Sequence, residues 1–572
     1  MADLNYWTRR VDRRTALRGA GVAVAGLAGA ALIGCGGEDD EEAPAPTAAA
    51  GQATTAPAAT AAAAADAPKR GGTAVFASIE PRSLDPHFDV FRTIGPVYDN
   101  LFRFSRDLTT FHPDLAEALP EQPDDLTYVF KLRPGVKWHN VEPANGRDFV
   151  AADVKYSLER QSTDEAGVFQ HAYYFKDKLE SIDTPDDHTV VIKTREPYAP
   201  FMSYVGNPWT VMVNRETVEK YADLTEHAVG TGPFIFKEWQ KEVRISLTRN
   251  PDYWMPELPY LDGIEYLISI DPDTNATLFI DKKIMAYGAG QAQLKRVQDA
   301  RGADSRYRAQ PLQFWRQFRM SPTEESFRYE DYAGTEWDVA KNFADIRVRE
   351  AVVRGIDKQA VLDLVHDGDG QVTYGPILPQ FANWALKEEL AGYDPKKSKE
   401  LLAAAGITEL RGPMMWASTS PQADQIGEVI KEQLAEIGVI TDLQPMELAA
   451  YYNLTYKYRY AFSHHVPLNN PEPDENLSSY FGPNSTYFKH YNPEIFALVD
   501  KQAKTVDFAE RQAIVKEAQE KIVLDFPIKH MFTTNVHYFI DERLKNWDFS
   551  LDGYEHRLYD PTDKTQQMWL DA

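Results

Sequence analysis

The sequence predicts an α/β body in at least two lobes, and three observations carry that expectation. The chain has 572 residues, well beyond the ~250–300 at which a single hydrophobic core stops growing. Its 28 Phe, 29 Tyr and 11 Trp supply large cores and exclude a mostly disordered chain. Its C-terminal half repeats a strand–helix–strand rhythm, the βαβ unit that builds parallel sheets covered by helices.

Residues 1–34 read as a targeting segment. Arg9, Arg10, Arg13, Arg14 and Arg18 make a basic n-region, and the uncharged stretch from Gly19 to Gly34 is too short to span a bilayer as a mature helix. Arg13-Arg14-Thr15-Ala16-Leu17-Arg18 resembles a twin-arginine export signal, with Ala16 where an aromatic residue is usual. Leu32-Ile33-Gly34-Cys35 resembles a bacterial lipobox, which implies cleavage before Cys35 and lipidation of that residue. Residues 35–68 then read as the lipidated cysteine and a disordered tether: acidic from Glu38 to Glu42, and dominated by Ala, Pro and Thr from Ala43 to Pro68. Contact with the membrane is expected through the lipid anchor only, at the outer face of the cytoplasmic membrane. Cys35 is the single cysteine, so no intrachain disulfide framework exists. The net charge of −25 repels phosphate backbones and argues against a nucleic-acid partner.

The folded body is expected from Lys69. Gly71 to Ala77 reads as an opening strand, turned by Ser83-Leu84-Asp85-Pro86. Leu126 to Leu132 alternates as a strand and is broken by Arg133-Pro134-Gly135. Asp148 to Arg160 reads as a helix, with Val154 and Leu158 four apart. Thr189 to Ile192 is a buried-type strand, and Ile245 to Leu247 and Ile264 to Ile270 are further strands. Met414 to Ala417, then a helix from Gln422 to Ile437, then Val439 to Leu443 make the βαβ unit. Its helix places Ile426, Val429, Ile430, Leu434 and Ile437 on one face and stops at Gly438. Phe496 to Val506 and Arg511 to Val523 are amphipathic helices.

Catalytic patterns are missing from the sequence. It has no G-x-S-x-G elbow, no G-x-x-x-x-G-K-[ST] loop and no H-E-x-x-H helix, so neither an enzyme nor a bound metal or cofactor is expected. Asp367-Gly368-Asp369-Gly370 lacks the later ligands of a calcium loop and reads as a turn. His464 and His465 would point to opposite faces of a strand. The expectation is one buried and one solvated histidine, with a single histidine on a ligand as the alternative.

Four ordered blocks carry a resemblance that runs from about Gly71 to the last strands. They are Pro113–Glu117; Leu126–His139, continued by Asp148–Glu159; Gly230–Phe234 with Arg249–Trp254; and Asp345–Ala351 with Gly355–Lys358. These resemble the family 5 extracellular solute-binding proteins of bacterial ABC importers, which include oligopeptide-, dipeptide- and nickel-binding proteins. The resemblance implies a type II periplasmic-binding-protein-like fold: two lobes about a hinge, an extra subdomain inserted in the first, and a ligand cleft between the lobes. Carried over, lobe I comprises 69–112, 200–270 and 531–572, the inserted subdomain 113–199, and lobe II 271–530. Trp138 and Trp254 are expected as core anchors. The 321–342 stretch looks longer than usual and reads as a surface loop.

The same resemblance implies a monomeric lipoprotein that captures a peptide or peptide-like solute and delivers it to an ABC permease. A sugar, a nickel chelate, or a sensor docking on a membrane receptor are the alternatives. Candidate ligand contacts are Phe88, Phe91 and Arg92 after the opening turn, Trp315, Trp416 at the end of its strand, His464, His465 and Asn469. Peptide binders in the family carry an Asp for the peptide ammonium near the place of Asn469; this chain has no Asp there, and Glu472 and Asp474 are close but displaced, so little dependence on a free amine is expected. Cys35→Ala is expected to release or mislocalise the protein in a detergent-partition assay; unchanged partitioning contradicts lipid anchoring.

Overall fold

The computed structural model describes residues 67–88, 93–104, 110–163, 171–322, 338–455, 457–467, 471–483, 485, 487–547 and 567–571. The expectations at Cys35, Phe91, Arg92 and Asn469, and for the leader and most of the tether, lie outside these residues.

β1 (Thr73–Ser78) opens the body and alternates Ala74 and Phe76 into a core. β2 (Phe102–Phe104) and β3 (Phe111–Pro113) pair as a small ribbon. β4 (Glu121–Asp124), β5 (Thr127–Lys131), β6 (Leu179–Asp186) and β7 (Thr189–Thr194) form an antiparallel sheet in the order β4-β5-β7-β6. The helix Ala151–Ser162 lies on it through Val154 and Leu158, and Trp138 anchors the same core. β8 (Phe234–Gln240), β9 (Arg244–Arg249) and β10 (Gly263–Ile268) complete the first sheet, ordered β1-β10-β9-β8, with β1 parallel to β10.

β11 (Ala286–Ala289), β12 (Ser305–Met320), β13 (Gly370–Val372), β14 (Leu410–Ala417), β15 (Val439–Met446), β16 (Phe462–His465) and β17 (Ile528–Asp541) build the third sheet. Its order is β11-β17-β12-β16-β14-β15, with β13 added to β17. β18 (Leu544–Lys545) and β19 (Trp569–Leu570) form a last short pair. The third sheet is mixed rather than parallel. β14 runs parallel to β15 and β16, but the long strands β12 and β17 pair antiparallel with each other.

The expected βαβ unit is present as β14, the helix Pro421–Ala435 and β15. Ser420 caps the helix by accepting from the Ala423 N–H. Gly438, at φ +87°, supplies the left-handed turn into β15. β14 begins at Leu410, four residues earlier than its apolar run, because Gly412 and Pro413 hide the strand in sequence while Leu410 already pairs with Val439.

β12 and β17 are paired from Ser305↔Asp541 to Arg319↔Ile528, with register shifts between Pro311 and Gln317. Their two ends serve different cores. Tyr538 and Ile540 pack with the first sheet, whereas Met531, Phe532 and Phe318 pack with the βαβ unit.

Gly427 lies against the Trp416 ring: a Cβ there would stand 2.8 Å from the indole. Gly427→Ala therefore overpacks by about 1–3 kcal/mol, more than the ~0.5–1 kcal/mol a helix gains on losing a glycine. Urea denaturation should show net destabilisation, relieved when Trp416→Phe is combined with it. A more stable single variant contradicts this packing.

Candidate functional site

Glu472-Pro473-Asp474-Glu475 starts the helix Pro473–Phe481. Glu472 is the N-cap, Pro473 supplies the preset first φ, and two further acids occupy the first turn, where the helix dipole favours negative charge. All three carboxylates are buried. Arg511 pairs with Glu472. Asp474 accepts from the Gln502 amide at 2.5 Å, the Ser478 hydroxyl at 2.6 Å and the Tyr204 hydroxyl at 2.9 Å. Glu475 accepts from the Tyr173 hydroxyl at 3.1 Å and the Tyr174 hydroxyl at 3.2 Å.

Those tyrosines come from the other end of the chain. Tyr173 and Tyr174 sit in the turn Ala172–Tyr174, and Tyr204 in the short helix Phe201–Val205. Tyr174 stacks on Tyr204 at 3.9 Å, and the His171 ring lies 4.6 Å from Trp209. Three buried acids thus share the Arg511 cation and a set of neutral donors. Burial pushes Glu475 up to about 8, against the pull of its two tyrosine bonds, so it is largely neutral at pH 7. Burial also raises Asp474.

Beside this junction, Trp315, Gln317, Pro376, Asn476, Tyr480 and Phe481 surround a small space. Trp315 stacks on His530 at 5.1 Å. The Trp315 indole N–H and both His530 ring nitrogens are buried without partners among the described residues. A second cavity, of about 450 Å³, lies at the Met320 end of β12. Its Arg349 and His490 are already committed to Asp525.

The candidate residues fall in different places. Phe88 lies under the Arg82 guanidinium, 5.1 Å from its ring centre. Trp416 is 2% exposed, donates its indole N–H to Asp424 at 2.8 Å and packs in the core of the βαβ unit. His464 and His465 are both buried, which corrects the expectation of one solvated histidine. The reason is that both faces of β16 are covered. His464 lies opposite Phe318, whose side faces the helices of the βαβ core, while the helix Leu448–Thr455 places the Tyr451 hydroxyl 2.7 Å from His465 Nδ1. Burial holds both rings well below the usual histidine range, hence neutral. Glu472 and Asp474 stand close to the place expected for an ammonium-binding Asp, whereas Glu475 and the tyrosine partners carry no such signal in the sequence. Glu472-Pro473-Asp474-Glu475 is a legible helix start, but nothing in the sequence places tyrosines some 300 residues away against it. Among the described residues, no group of three His, Cys, Asp or Glu is arranged to hold a metal, and no helix is long and apolar enough to cross a membrane.

A family model described as bacterial extracellular solute-binding proteins, family 5 Middle, matches residues 110–488. The chain is 28% identical to di/tripeptide-binding protein 1 of Pseudomonas aeruginosa, over 79% of this chain and 86% of that one. It is 28% identical to the glutathione-binding protein GsiB of Pectobacterium atrosepticum, again over 79% and 86%. The crystal structure of the ABC transporter substrate-binding protein CtaP from Listeria monocytogenes superposes with a TM-score of 0.74 at 20% identity, covering 88% of this chain and 100% of that one. The fold is therefore the two-lobed type II arrangement of periplasmic binding proteins.

Glu475 sets a pH dependence with a definite sign. Between the unfolded carboxylate value near 4.5 and the folded value of about 8, the folded state holds a proton that the unfolded state has lost. Its contribution to stability therefore falls as pH rises through that window, by roughly 1.4 kcal/mol per unit. Glu475→Gln should flatten the stability–pH profile between pH 5 and pH 8 and stabilise the protein at pH 8. A parallel profile in urea melts contradicts the assignment.

Proposed function

Because the chain belongs to the bacterial extracellular solute-binding proteins of family 5, we propose that it captures a peptide or peptide-like solute between its lobes and delivers it to an ABC permease. Members of this family are transport binding proteins, not enzymes, and they act outside the cytoplasm. Lipidated Cys35 and the tether would hold the body at the membrane while leaving it free to reorient. Lobe I would combine 69–112, 200–270 and 531–572, with 113–199 inserted, and lobe II would span 271–530. β12 and β17 would then be the crossing strands about which the lobes close.

The observation that carries the peptide reading is the set of buried donors beside the β12–β17 register shifts. The Trp315 N–H has no acceptor among the described residues, and the neutral His530 ring beside it offers one N–H and one acceptor nitrogen. A peptide backbone offers carbonyl oxygens and N–H groups at regular spacing and would satisfy both. Leaving such groups unpaired costs about 1–3 kcal/mol each, so an occupant that pairs them is favoured. The relatives named for di- and tripeptides and for glutathione support the same class of solute.

The test is native mass spectrometry of protein purified without refolding, followed by a thermal-shift panel of peptides with free and acetylated N-termini, sugars and nickel chelates. Peptides should raise the melting temperature, with a stabilisation of about 2.7 kcal/mol at a hundredfold excess over Kd. Acetylation should matter little, since Asn469 offers no charge for an ammonium. A shift with sugars or chelates alone would overturn the peptide reading.

A further inference from the structure

The helix Lys358–His366 places Val361 and Leu362 in the core around the βαβ unit, and the turn Asp367-Gly368-Asp369-Gly370 carries the chain from it onto β17. Asp367, at φ +51°, ends the helix in the left-handed region, and Gly368, at φ +75°, continues the reversal. Gly370 pairs with Thr534, and a Cβ on Gly370 would stand 2.3 Å from the Thr533 carbonyl oxygen, so only glycine allows this approach.

The turn is thereby held against β17 where that strand passes from one core to another. Phe532 packs with the βαβ unit, whereas Phe539 packs with Phe279, Tyr287 and Val297, against Val75 and Leu267 of the first sheet. Asn535 and His537 lie between, and Asp369 grips both. Its Oδ1 accepts from the Asn535 amide at 2.8 Å, and its Oδ2 accepts from His537 Nε2 at 2.6 Å. An ionised carboxylate only accepts, so Nε2 carries the proton; His537 Nδ1 then faces the Tyr307 hydroxyl at 2.7 Å. Tyr307 stands on β12, so one carboxylate gathers the turn and both long strands. Ala309 pairs with His537 and Pro311 with Asn535, so the gripped residues lie on the last rungs before the first register shift. A looser tie runs beside it: Gln291, at the start of the helix Gln291–Arg301, donates to Asp367 at 3.4 Å, and Val297 of that helix belongs to the Phe539 core.

We propose that Asp369 is a positioning residue for solute capture: it straps the turn to the hinge strands and holds the lobes at their closed angle without touching the solute. This rests on the reading of the chain as a solute-binding protein that closes about β12 and β17, and adds the residue that sets the closing equilibrium. The division of lobes proposed above puts Tyr204 in one lobe and Asp474 in the other, and their 2.9 Å bond makes the arrangement held here a closed one. A residue that favours the closed form raises affinity for every solute alike, because it acts on the population competent to bind and not on any one contact.

The experiment compares wild type, Asp369→Ala, Asp369→Asn and Asp363→Asn. Calorimetry and stopped-flow measure binding of Ala-Ala-Ala and Ala-Phe-Ala. Double electron–electron resonance measures the unliganded distance between spin labels at Glu121 and Glu428, both exposed, in the full chain carrying Cys35→Ser so that only the introduced cysteines take labels. Asp369→Ala should weaken both peptides by the same factor, roughly three- to tenfold, through faster dissociation, and should broaden the unliganded distances. Asp369→Asn keeps an acceptor oxygen for Asn535 and should recover part of the loss. Asp363 is exposed on the preceding helix, and Asp363→Asn should behave as wild type. Asn535→Ala removes one of the two bonds and carries the same test should Asp369→Ala fail to fold. If peptides bind wild type and Asp369→Ala equally, or if the loss differs between the two peptides, the strap is overturned while peptide capture stands. If neither peptide binds, the distances decide: a broader distribution in Asp369→Ala keeps the strap while the peptide reading falls. An unchanged distribution, or the same broadening in Asp363→Asn, overturns the proposal, even where Asp369→Ala lowers the melting temperature.

Discussion

The antiparallel pairing of β12 with β17 is the constraint on which the rest of the molecule depends. β12 spans Ser305–Met320 and β17 Ile528–Asp541, and the pair is hydrogen-bonded along nearly its whole length. One end delivers Tyr538 and Ile540 to the core of the first sheet, and the other delivers Phe318, Met531 and Phe532 to the core around the βαβ unit. Two separately built hydrophobic cores are therefore joined by a continuous backbone ladder rather than by a loose linker. Register shifts between Pro311 and Gln317 interrupt that ladder. Such irregularities bend a strand and release backbone groups locally, which suits the hinge proposed for these strands.

Buried charge is handled in two ways. Arg103 lies between Asp99 at 2.6 Å and Asp114, so each of those buried carboxylates has a direct ion pair. The start of the helix Pro473–Phe481 is unmatched, with Glu472, Asp474 and Glu475 facing the Arg511 cation and a set of tyrosine hydroxyls. Hydroxyls stabilise a carboxylate less than a cation does, so burial wins and Glu475 stays protonated near neutrality. Because those hydroxyls belong to Tyr173, Tyr174 and Tyr204, this contact ties the 173–204 stretch to the 473–481 helix through polar bonds, which yield more readily to water than an apolar seam.

Much of the scaffold was legible because its signals are local. The Gly71–Ala77 strand, the Leu126–Leu132 strand and the 421–435 helix each carry their own periodicity. Trp138 anchors a core and donates to Asp153, and Trp254 packs at the edge of the same core, as their matched blocks imply. The start of β14 was hidden by Gly412 and Pro413, which act as breakers in isolation but sit inside a parallel ladder here. His464 and His465 were misjudged because strand alternation says only that two side chains face opposite ways, not that one of those faces is open. The polar junction was the least legible part. Its geometry depends on a turn at residues 171–174 and a helix start at 472–475 meeting in space, and no pattern within either segment encodes the other.

Closure about β12 and β17 is the central event of the proposed capture, and one distance tests it directly. The sole cysteine, Cys35, lies outside the body, so residues 67–572 accept spin labels without competing thiols. Labels at Glu121, on the exposed β4, and at Glu428, on the outer face of the 421–435 helix, report the separation of the two halves by double electron–electron resonance. Saturation with a peptide that binds in calorimetry should shorten and narrow the distance distribution. An unchanged distribution with that peptide bound would contradict closure between the lobes.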